Sequence, residues 1–404
     1  MQLVAYGAQD VYLTGSPQIT FFKLVYRRHT NFAVESIEQT FNGTAGWGKK
    51  ASATISRNGD LISGVFLQVQ VPAFAAGYKK GFMHRFLKDC EIEIGGQRID
   101  KHYSQFYEVC DELMTPSDKK TGYQKMVGKL DQANKLDSDM GRTASTTYYL
   151  PLRFWFNSNP GLALPLIALQ YHEVKLQMTF GSDAECATGV TSATAATDRP
   201  GEPTVSLYVD YVYLDTEERR RFAQASHEYL IEQLQFTGTE SVSLNDGSDT
   251  HEKVRLNFNH PTKELIWFVN SDDGPGADVF NFGEDTLKSG TTGYEYVKSA
   301  KLLLNGHDRF STRPGSYFRL VVPFQCHTRV PDKHIYCYSF ALRPEEHQPS
   351  GSCNFSRIDN ASLHLTLNAS SKDSGAESVK LTVYALSYNI LRIVSGMGGL
   401  AYSN

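Results

Sequence analysis

The stretch Cys90-Glu-Ile-Glu-Ile-Gly-Gly-Gln-Arg98-Ile99 has a counterpart later in the chain, Lys301-Leu-Leu-Leu-Asn-Gly306-His-Asp-Arg309-Phe310. Each is a strand-like run that ends in Gly and then Arg. Each is followed by a Pro/Gly turn and a strand with apolar residues at alternate positions, Pro160-Gly161 with Val174–Phe180 and Pro349-Ser-Gly351 with Leu363–Leu367. Offsets of roughly 190 to 210 residues equal the length of one large all-β domain. The repeat therefore predicts two related β domains in tandem.

Length and composition agree with this prediction. A chain of 404 residues is long for one core and comfortable for two. The 22 Tyr, 23 Phe and 32 Gly residues favour strands joined by turns. Further period-2 runs at Val65–Val71, Val205–Tyr213 and Val379–Val383, separated by Gly, Pro, Asn or Asp, are typical of antiparallel sandwiches.

Helical patterns are few. Phe106, Cys110, Leu113 and Met114 share one helical face, and the polar segment Thr115–Thr147 that follows predicts an exposed excursion from the first sandwich. A second helix is predicted from Asp215 to about Ala225, between the two halves, with Asp215 and Glu218 in a capping-box pattern. Weakly hydrophobic segments predict surface loops at Ala184–Pro203, Asn245–Thr250 and Ser271–Ala277.

Charge and cysteine usage exclude several classes of protein. The net charge is -4, so binding to nucleic acid would need a local basic patch, and the best one, Arg219-Arg-Arg221, adjoins Glu217 and Glu218, which favours ion pairs within a linker helix. The six cysteines lack C-x-x-C spacing, which favours free thiols. The N-terminus lacks the pattern of a signal peptide, so we expect folding in a cytosol.

Motifs for catalysis or cofactor binding are weak. The twelve histidines include no H-x-H or H-E-x-x-H, which argues against a bicupin metal site, and we predict no metal, no cofactor and no catalytic residues. A glycosidase pair of carboxylates on facing strands stays open. Gly396-Met-Gly398-Gly399 follows the last predicted strand and suggests a tail with positive φ angles. Possible glycosylation sequons, for which the unmodified residue is favoured, begin at Asn42, Asn354, Asn360 and Asn368.

Several segments together resemble the major capsid proteins of nucleocytoplasmic large DNA viruses, and most strongly those of the chlorovirus-like algal viruses. The iridovirus and marseillevirus types are more distant. The matching segments span the chain: Gln2–Gly15, Ile19–Lys23, Tyr26–Phe32, Ser56–Leu61, Ile94–Asp100, Pro160–Leu166, Phe258–Pro261, Asn354–Asp359 and Ser395–Tyr402. The sequence departs from the algal pattern in Thr115–Thr147 and in the regions that begin at Ala184 and Asp272.

The resemblance implies an all-β double jelly roll, that is, two tandem eight-stranded antiparallel β-sandwiches with short helices in loops and linker. We expect an N-terminal base segment at 1–30, a first jelly roll at 31–214, a linker helix at 215–228, a second jelly roll at 229–394 and a C-terminal tail at 395–404. Arg98 and Arg309 then fit turn residues that follow a strand.

The resemblance also implies a structural role rather than an enzymatic one. It implies a homotrimeric, pseudo-hexameric capsomer that tiles an icosahedral virion capsid and contacts neighbouring capsomers. It further implies minor capsid proteins at the inner base, outward towers formed by long loops, no direct nucleic acid contact, an internal viral membrane that is nearby but not spanned, and assembly in the infected-cell cytoplasm. The alternative is a carbohydrate-binding or carbohydrate-cleaving double β-sandwich.

Overall fold

The computed structural model describes residues 7–130, 140–142, 144–191, 194–245, 248–271, 279–282, 295–368 and 378–402. The strands of the first half are β1 (Phe32–Gln39), β2 (Lys50–Thr54), β3 (Leu61–Val71), β4 (Phe74–Tyr78), β5 (Leu87–Ile94), β6 (Gln97–Tyr103), β7 (Met140–Arg142), β8 (Thr146–Pro151), β9 (Leu164–Pro165), β10 (Val174–Phe180) and β11 (Thr204–Leu214). The strands of the second half are β12 (His227–Ser243), β13 (Thr250–Arg255), β14 (Pro261–Ser271), β15 (Val297–Leu304), β16 (His307–Asp308), β17 (Arg313–Pro314), β18 (Tyr336–Ser339), β19 (Cys353–Asn354), β20 (Ala361–Leu367), β21 (Ser378–Val394) and β22 (Met397–Leu400).

The helices are short and lie between strands or in the linker. They are α1 (Val11–Thr14), α2 (Phe82–Phe86), α3 (Ser104–Met114), α4 (Ser117–Met126), α5 (Trp155–Ser158), α6 (Asp183–Cys186), α7 (Thr216–Gln224) and α8 (Val322–Cys326). A π-helix at Tyr317–Val321 runs directly into α8, and single 3₁₀ turns occupy Pro160–Leu162, Ala196–Asp198 and Phe355–Arg357. None of the helices in these described parts is long and apolar enough to cross a membrane.

The two halves have the same strand order. In the first, a larger sheet runs β1-β11-β3-β8 and a smaller one β2-β10-β5-β6; in the second the orders are β12-β21-β14-β18 and β13-β20-β15-β16. The four strands of the larger sheet and the four of the smaller sheet make eight strands in each half, and we number these eight from 1 to 8 in chain order. In both halves the larger sheet then has the order 1-8-3-6 and the smaller sheet the order 2-7-4-5. This antiparallel double-sheet arrangement is a jelly roll, so the prediction of an all-β double jelly roll is confirmed.

The repeated stretches that suggested a duplication are equivalent hairpins. β5 turns into β6 through Gly95 and Gly96, with φ angles of 59° and 81°, and β15 turns into β16 through Asn305 and Gly306, with φ angles of 50° and 81°. Positive φ at both central residues matches the right-handed twist of paired strands, and Gly and Asn adopt it most readily. Arg98 is not a turn residue, because it lies in β6 opposite Glu93. Arg309 follows β16 directly.

Alternation of side chains places the apolar residues inside each sandwich. In β10, Val174, Leu176, Met178 and Phe180 are buried, whereas the residues between them are partly or fully exposed. The predicted strand has the observed bounds. Because successive side chains in a strand point to opposite faces, this pattern fixes which face meets the core.

Each core also contains residues from the other half of the chain. The first core includes Ile231, Leu391 and Ile393 of β12 and β21. The second includes Phe106, Val109, Cys110 and Leu113 of α3. The two sandwiches therefore exchange apolar side chains across a shared seam.

Three expectations need correction. The segment Thr115–Thr147 is not simply an exposed excursion, because it contains α4 and buried Tyr123, Val127 and Lys129; residues 131–139 and 143 lie outside the described residues. The segment Ala184–Pro203 includes the end of α6 and buried Cys186 and Val190. The predicted tail contains β22, which pairs with β21, although Gly396 has the expected positive φ of 80°.

The remaining predicted loops are only partly described. Residues 246–247 of the predicted loop at Asn245–Thr250 lie outside the described residues, and Thr250 starts β13. Most of the predicted loop at Ser271–Ala277 also lies outside them. All six cysteines are free thiols.

Residues 7–31 contrast with the rest of the chain because nearly all of them are exposed. They contain one helical turn, α1, a turn at Phe21 and Phe22, and irregular chain from there up to β1. Large apolar side chains are unusually open to solvent here, including Tyr12, Phe21, Phe22 and Tyr26. A surface of this kind usually marks a site of protein contact.

Candidate assembly interface

The seam between the sandwiches is organised around helix α3. This helix follows β6, and one of its faces carries Phe106, Val109, Cys110 and Leu113 into the second core. Three of these residues belong to the predicted helical face, and its fourth residue, Met114, is partly buried against the same core. Tyr107 points the other way, into the first core. The ring of Phe106 meets that of Tyr384 edge-on, with 6.0 Å between centroids. One helix therefore joins both cores.

The same helix carries three buried carboxylates, Glu108, Asp111 and Glu112. Lys129, which is buried after α4, lies with its Nζ 2.8 Å from Glu108 Oε1 and 2.5 Å from Asp111 Oδ2. His84 Nδ1 lies 2.7 Å from Glu108 Oε2. Buried charges are retained only where partners compensate for lost hydration, so these groups depend on one another.

Cations of the second sandwich complete this network. Lys333 Nζ lies 2.9 Å from Glu108 Oε1, and Arg329 lies 3.1 Å from Glu112 Oε2. Arg329 also donates hydrogen bonds to the backbone carbonyls of Asp111 and Glu112, at 2.8 and 2.9 Å. Charge-assisted bonds of this type fix orientation as well as adding energy. The second sandwich therefore holds α3 by both apolar packing and ion pairs.

The pKa shifts in the network follow from burial and from these partners. Burial lowers the pKa of His84 despite its contact with Glu108. Burial alone would raise the pKa of Glu108, but Lys129 and Lys333 hold it well below its usual range. Burial would likewise lower the pKa of Lys129, yet Glu108 and Asp111 raise it. Glu108 and Lys129 consequently stay ionised beside a neutral His84 imidazole.

A second part of the seam joins β6 to β12. Asp100 Oδ1 accepts a hydrogen bond from the Leu234 backbone N–H at 3.1 Å, and the Gln233 side chain donates to the Ile99 carbonyl. The rings of Tyr103 and Phe236 meet at 4.9 Å. An edge of the first sandwich is thus closed by the second, and exposed backbone edges are otherwise liable to pair with other chains.

The last hairpin of the chain, β21–β22, also contacts the first sandwich. Tyr171 donates its backbone N–H to the Gly396 carbonyl at 3.0 Å. The Leu400 N–H donates to Gln97 Oε1 at 3.3 Å. A Cβ at Gly398 would lie 2.6 Å from Leu169, so glycine permits this close approach.

The second sandwich has its own buried ionic cluster around His327. His327 lies between two carboxylates, with Nε2 3.1 Å from Glu264 Oε2 and Nδ1 2.8 Å from Glu345 Oε1. Burial would lower the pKa of His327, but the charge of Glu264, and then hydrogen bonds with Cys337, Glu264 and Glu345, raise it far above its usual range. The imidazole is therefore charged in the folded protein.

The linker helix is tied to the first sandwich. Its N-cap Asp215 accepts a hydrogen bond from the Glu218 N–H at 2.9 Å, in agreement with the predicted helix start. Arg219 pairs with Asp60 of the first sandwich at 3.0 Å, rather than within its own helix as we expected. The basic triplet is thus part of the linker structure.

The predicted sequons lie apart from the seam. Asn42, Asn354 and Asn360 are exposed, and Asn368 is half-buried. The other two residues of the Asn368 sequon, 369–370, lie outside the described residues. Glycosylation at these four positions stays a prediction.

Sequence reasoning missed the ionic part of the seam. The polar pattern around Lys129 predicts an exposed segment, and it predicts no role for the acidic residues of α3. Their spacing held a usable signal, because Glu108, Asp111 and Glu112 lie one helical turn apart and share a face. Nothing in the sequence, however, places Arg329 and Lys333 beside them.

Comparisons with known proteins agree along the whole chain. Residues 20–215 match the family described as "Major capsid protein N-terminus", and residues 218–399 match "Large eukaryotic DNA virus major capsid protein". A major capsid protein of Pyramimonas orientalis virus is 51% identical, over 100% of this chain and 99% of its own.

Two solved structures are also similar. A crystal structure of VP54 of the chlorovirus PBCV-1, fitted into a reconstruction of the virophage Sputnik, has a TM-score of 0.83 and 42% identity and covers 95% of this chain and 100% of its own. A chain of a quasi-atomic model of the PBCV-1 virus capsid has a TM-score of 0.81 and 43% identity over the same shares. With the duplicated jelly roll and its seam, these matches show that the chain is a virion capsid component and belongs to the major capsid proteins of large eukaryotic DNA viruses.

Proposed function

We propose that three copies of this chain form a homotrimeric capsomer with a pseudo-hexameric outline, and that such capsomers tile an icosahedral shell. The observation that carries this proposal is the identical strand order of the two sandwiches. Three chains supply six similar blocks, so a threefold assembly can occupy a sixfold position. Closed cyclic symmetry is also the usual way in which identical chains assemble.

The seam supports a mechanical rather than a catalytic role. Exchange of apolar residues between the cores, together with the ion pairs of α3, makes the two sandwiches one block. Close-packed interiors deform little, so such a block transmits load between its edges. We assign no catalytic function to the chain.

The mass of the purified protein in native buffer tests the trimer. We expect light scattering during size-exclusion chromatography to give three chain masses at micromolar concentration. Interfaces that hold stable oligomers bury on the order of 1,000 Å² or more, which suffices at that concentration. A stable monomer would contradict the proposal.

We assign the exposed N-terminal segment to contacts at the inner base of the capsomer, with minor capsid proteins and neighbouring capsomers. Its support is the exposure of Phe21, Phe22 and Tyr26, which are 92%, 98% and 84% accessible. Apolar side chains this open gain most when a partner covers them.

Deletion of residues 1–30 tests whether trimer formation and lattice formation depend on different parts of the chain. We expect the truncated chain to form trimers of normal mass, because the described part of this segment packs on neither sandwich. Lattice formation, followed by electron microscopy of assembled sheets or particles, should be impaired. Loss of the trimer itself would refute this division of roles.

We further propose that the shell does not contact the genome directly, that an internal viral membrane lies nearby, and that assembly takes place in the cytoplasm of the infected cell. The N-terminal thirty residues carry Lys23, Arg27 and Arg28 against Asp10. Direct packing of DNA requires many more phosphate-neutralising side chains. Tight binding of duplex DNA to purified trimers at physiological salt would contradict the first of these statements.

A further inference from the structure

Helix α3 has a counterpart in the second sandwich. In the first half, β6 leads into α3; in the second, the short strands β16 and β17 lead into the π-helix Tyr317–Val321 and α8. Both helical segments connect strands of rank five and six in their jelly rolls. They are therefore equivalent elements of the duplicated fold.

The equivalence extends to individual side chains. Tyr107 faces the first core, and Phe318, the matching residue, faces the second, where its ring lies 5.2 Å from that of Trp267. With the same spacing along the chain, Val109, Cys110 and Leu113 of α3 correspond to Leu320, Val321 and Phe324. We call these two sets the first stripe and the second stripe.

The two stripes differ in what covers them. The residues of the first stripe are 0%, 1% and 0% exposed because the second sandwich covers them. Those of the second stripe are 41%, 41% and 79% exposed. The second sandwich covers the first stripe, whereas no part of the described chain covers the second stripe to the same extent. Exposed apolar surface of this kind often marks a site of protein contact.

The larger sheets show the reciprocal difference. In the second sandwich both faces of β14 are buried from Leu265 to Val269, since α3 and its surroundings cover the outward side. In the first sandwich the linker helix covers only one end of the outward side of the matching sheet, where Phe222 packs on Leu61 and Val212. Away from that end, Phe66 and Tyr208 are stacked, 5.1 Å apart and only half-buried, beside Tyr149, which is 37% exposed. We call Phe66, Tyr149 and Tyr208 the receiving face of the first sandwich.

We propose that the second stripe of one chain packs on the receiving face of the first sandwich of a second copy of this chain, and repeats between chains the seam that α3 makes within one. The proposal rests on the proposed homotrimer and names the surfaces that close it. The stripe and the face are different surfaces, so the contact is heterologous, and the proposed threefold rotation is what closes it into a ring. The aromatic content of both surfaces suits the buried centre of an interface.

Substitution at the stripe tests the proposal. Phe324→Asp places a charge at the centre of the contact, and Leu342→Asp is the matched control, because Leu342 is also 79% exposed but lies outside the stripe. We expect Phe324→Asp, and Tyr149→Asp on the receiving face, to elute at one chain mass with an unchanged circular dichroism spectrum. Leu342→Asp should elute at three.

The outcomes separate this inference from the trimer itself. A monomeric wild type would overturn both. A trimeric wild type with a trimeric Phe324→Asp would overturn the inference and leave the trimer standing.

Photo-crosslinking decides the matter if the charged variants fail to fold. The photoreactive residue p-benzoylphenylalanine at position 324 is close in shape to the native side chain. Irradiated trimers should yield covalent dimers in which position 324 is joined to peptides of β1, β3, β8 or β11, as read by mass spectrometry. Crosslinks to the second sandwich of the other chain would overturn the proposal.

Discussion

The two sandwiches share a strand order but differ in how their outward surfaces are covered. The second has its larger sheet covered by α3, whereas the linker helix covers only one end of the matching sheet of the first, and the helical stripes show the opposite relation. The two halves therefore have the same strand order but bury different apolar surfaces within the chain. Equivalent positions carry chain stability in one half and are available for association in the other.

The largest expected effect comes from the charged part of the seam. Lys129→Met should cost about 3–5 kcal/mol, because it leaves Glu108 and Asp111 buried without their closest cation. Urea unfolding of the purified protein measures this cost. The control is Lys88→Met, which breaks a pair with Glu185 in which both side chains are nearly half exposed; it should cost about 1 kcal/mol or less. Equal losses in the two variants would show that the α3 network is no more important than a surface pair.

The next largest effect on stability comes from the two stripes, where equivalent positions can be compared directly. Leu113→Ala should lower the free energy of unfolding by about 2–5 kcal/mol, since Leu113 is fully buried in the second core. Phe324→Ala, at the equivalent position, should leave the stability of the dissociated chain within about 0.5 kcal/mol of the wild type. Chemical unfolding at protein concentrations low enough to keep the chains apart measures both. A large loss in Phe324→Ala under those conditions would mean that the two stripes serve the same intrachain role.

Two buried histidines should give opposite responses to pH. The folded pKa of His84 is lowered, so its stabilising contribution is present above about pH 6.5, the unfolded pKa, and is lost as the pH falls below that value. The folded pKa of His327 is raised, so its contribution is present below about pH 6.5 and is lost as the pH rises towards the folded pKa. Each slope is limited to about 1.4 kcal/mol per pH unit.

Measuring the free energy of unfolding of His84→Gln and His327→Gln between about pH 5 and pH 9 separates the contributions of the two histidines to stability. The first variant should flatten the acid side of the stability profile relative to the wild type. The second should flatten the alkaline side. If His327→Gln retained the alkaline slope of the wild type, the ionic cluster with Glu264 and Glu345 would not be its source.

The smallest effect concerns the linker. Asp215→Ala removes the N-cap of α7 and should cost about 1 kcal/mol. Faster hydrogen exchange should be confined to residues near Glu218. Asp215→Asn is the matched control, because asparagine also caps helices well. Faster exchange throughout both sandwiches would show that the linker helix supports more than itself.

The sequence predicted the parts of the fold that depend on local pattern. Val174–Phe180 alternates in hydrophobicity and is a strand with those bounds. The repeat around Arg98 and Arg309 predicts a duplication but not the hairpins at Gly95-Gly96 and Asn305-Gly306, although turn chemistry explains them once they are seen. The family resemblance supplied the capsid assignment. Lys129 and β22 were missed, because burial of a charge and pairing of a glycine-rich strand depend on distant residues. Arg329, which holds α3, is remote in sequence from its partners, so no local pattern could have placed it.

The exchange of side chains between the cores also determines when the first sandwich can complete its folding during synthesis. Leu391 and Ile393, which complete the first core, belong to β21 and are therefore made after every strand of the first sandwich. Contacts between such distant segments form slowly because a long loop must close first. The first sandwich is thus unfinished until β21 has been made. We expect newly synthesised chains to become competent to meet one another only after β21 has packed on the first sandwich, which delays assembly on the polysome.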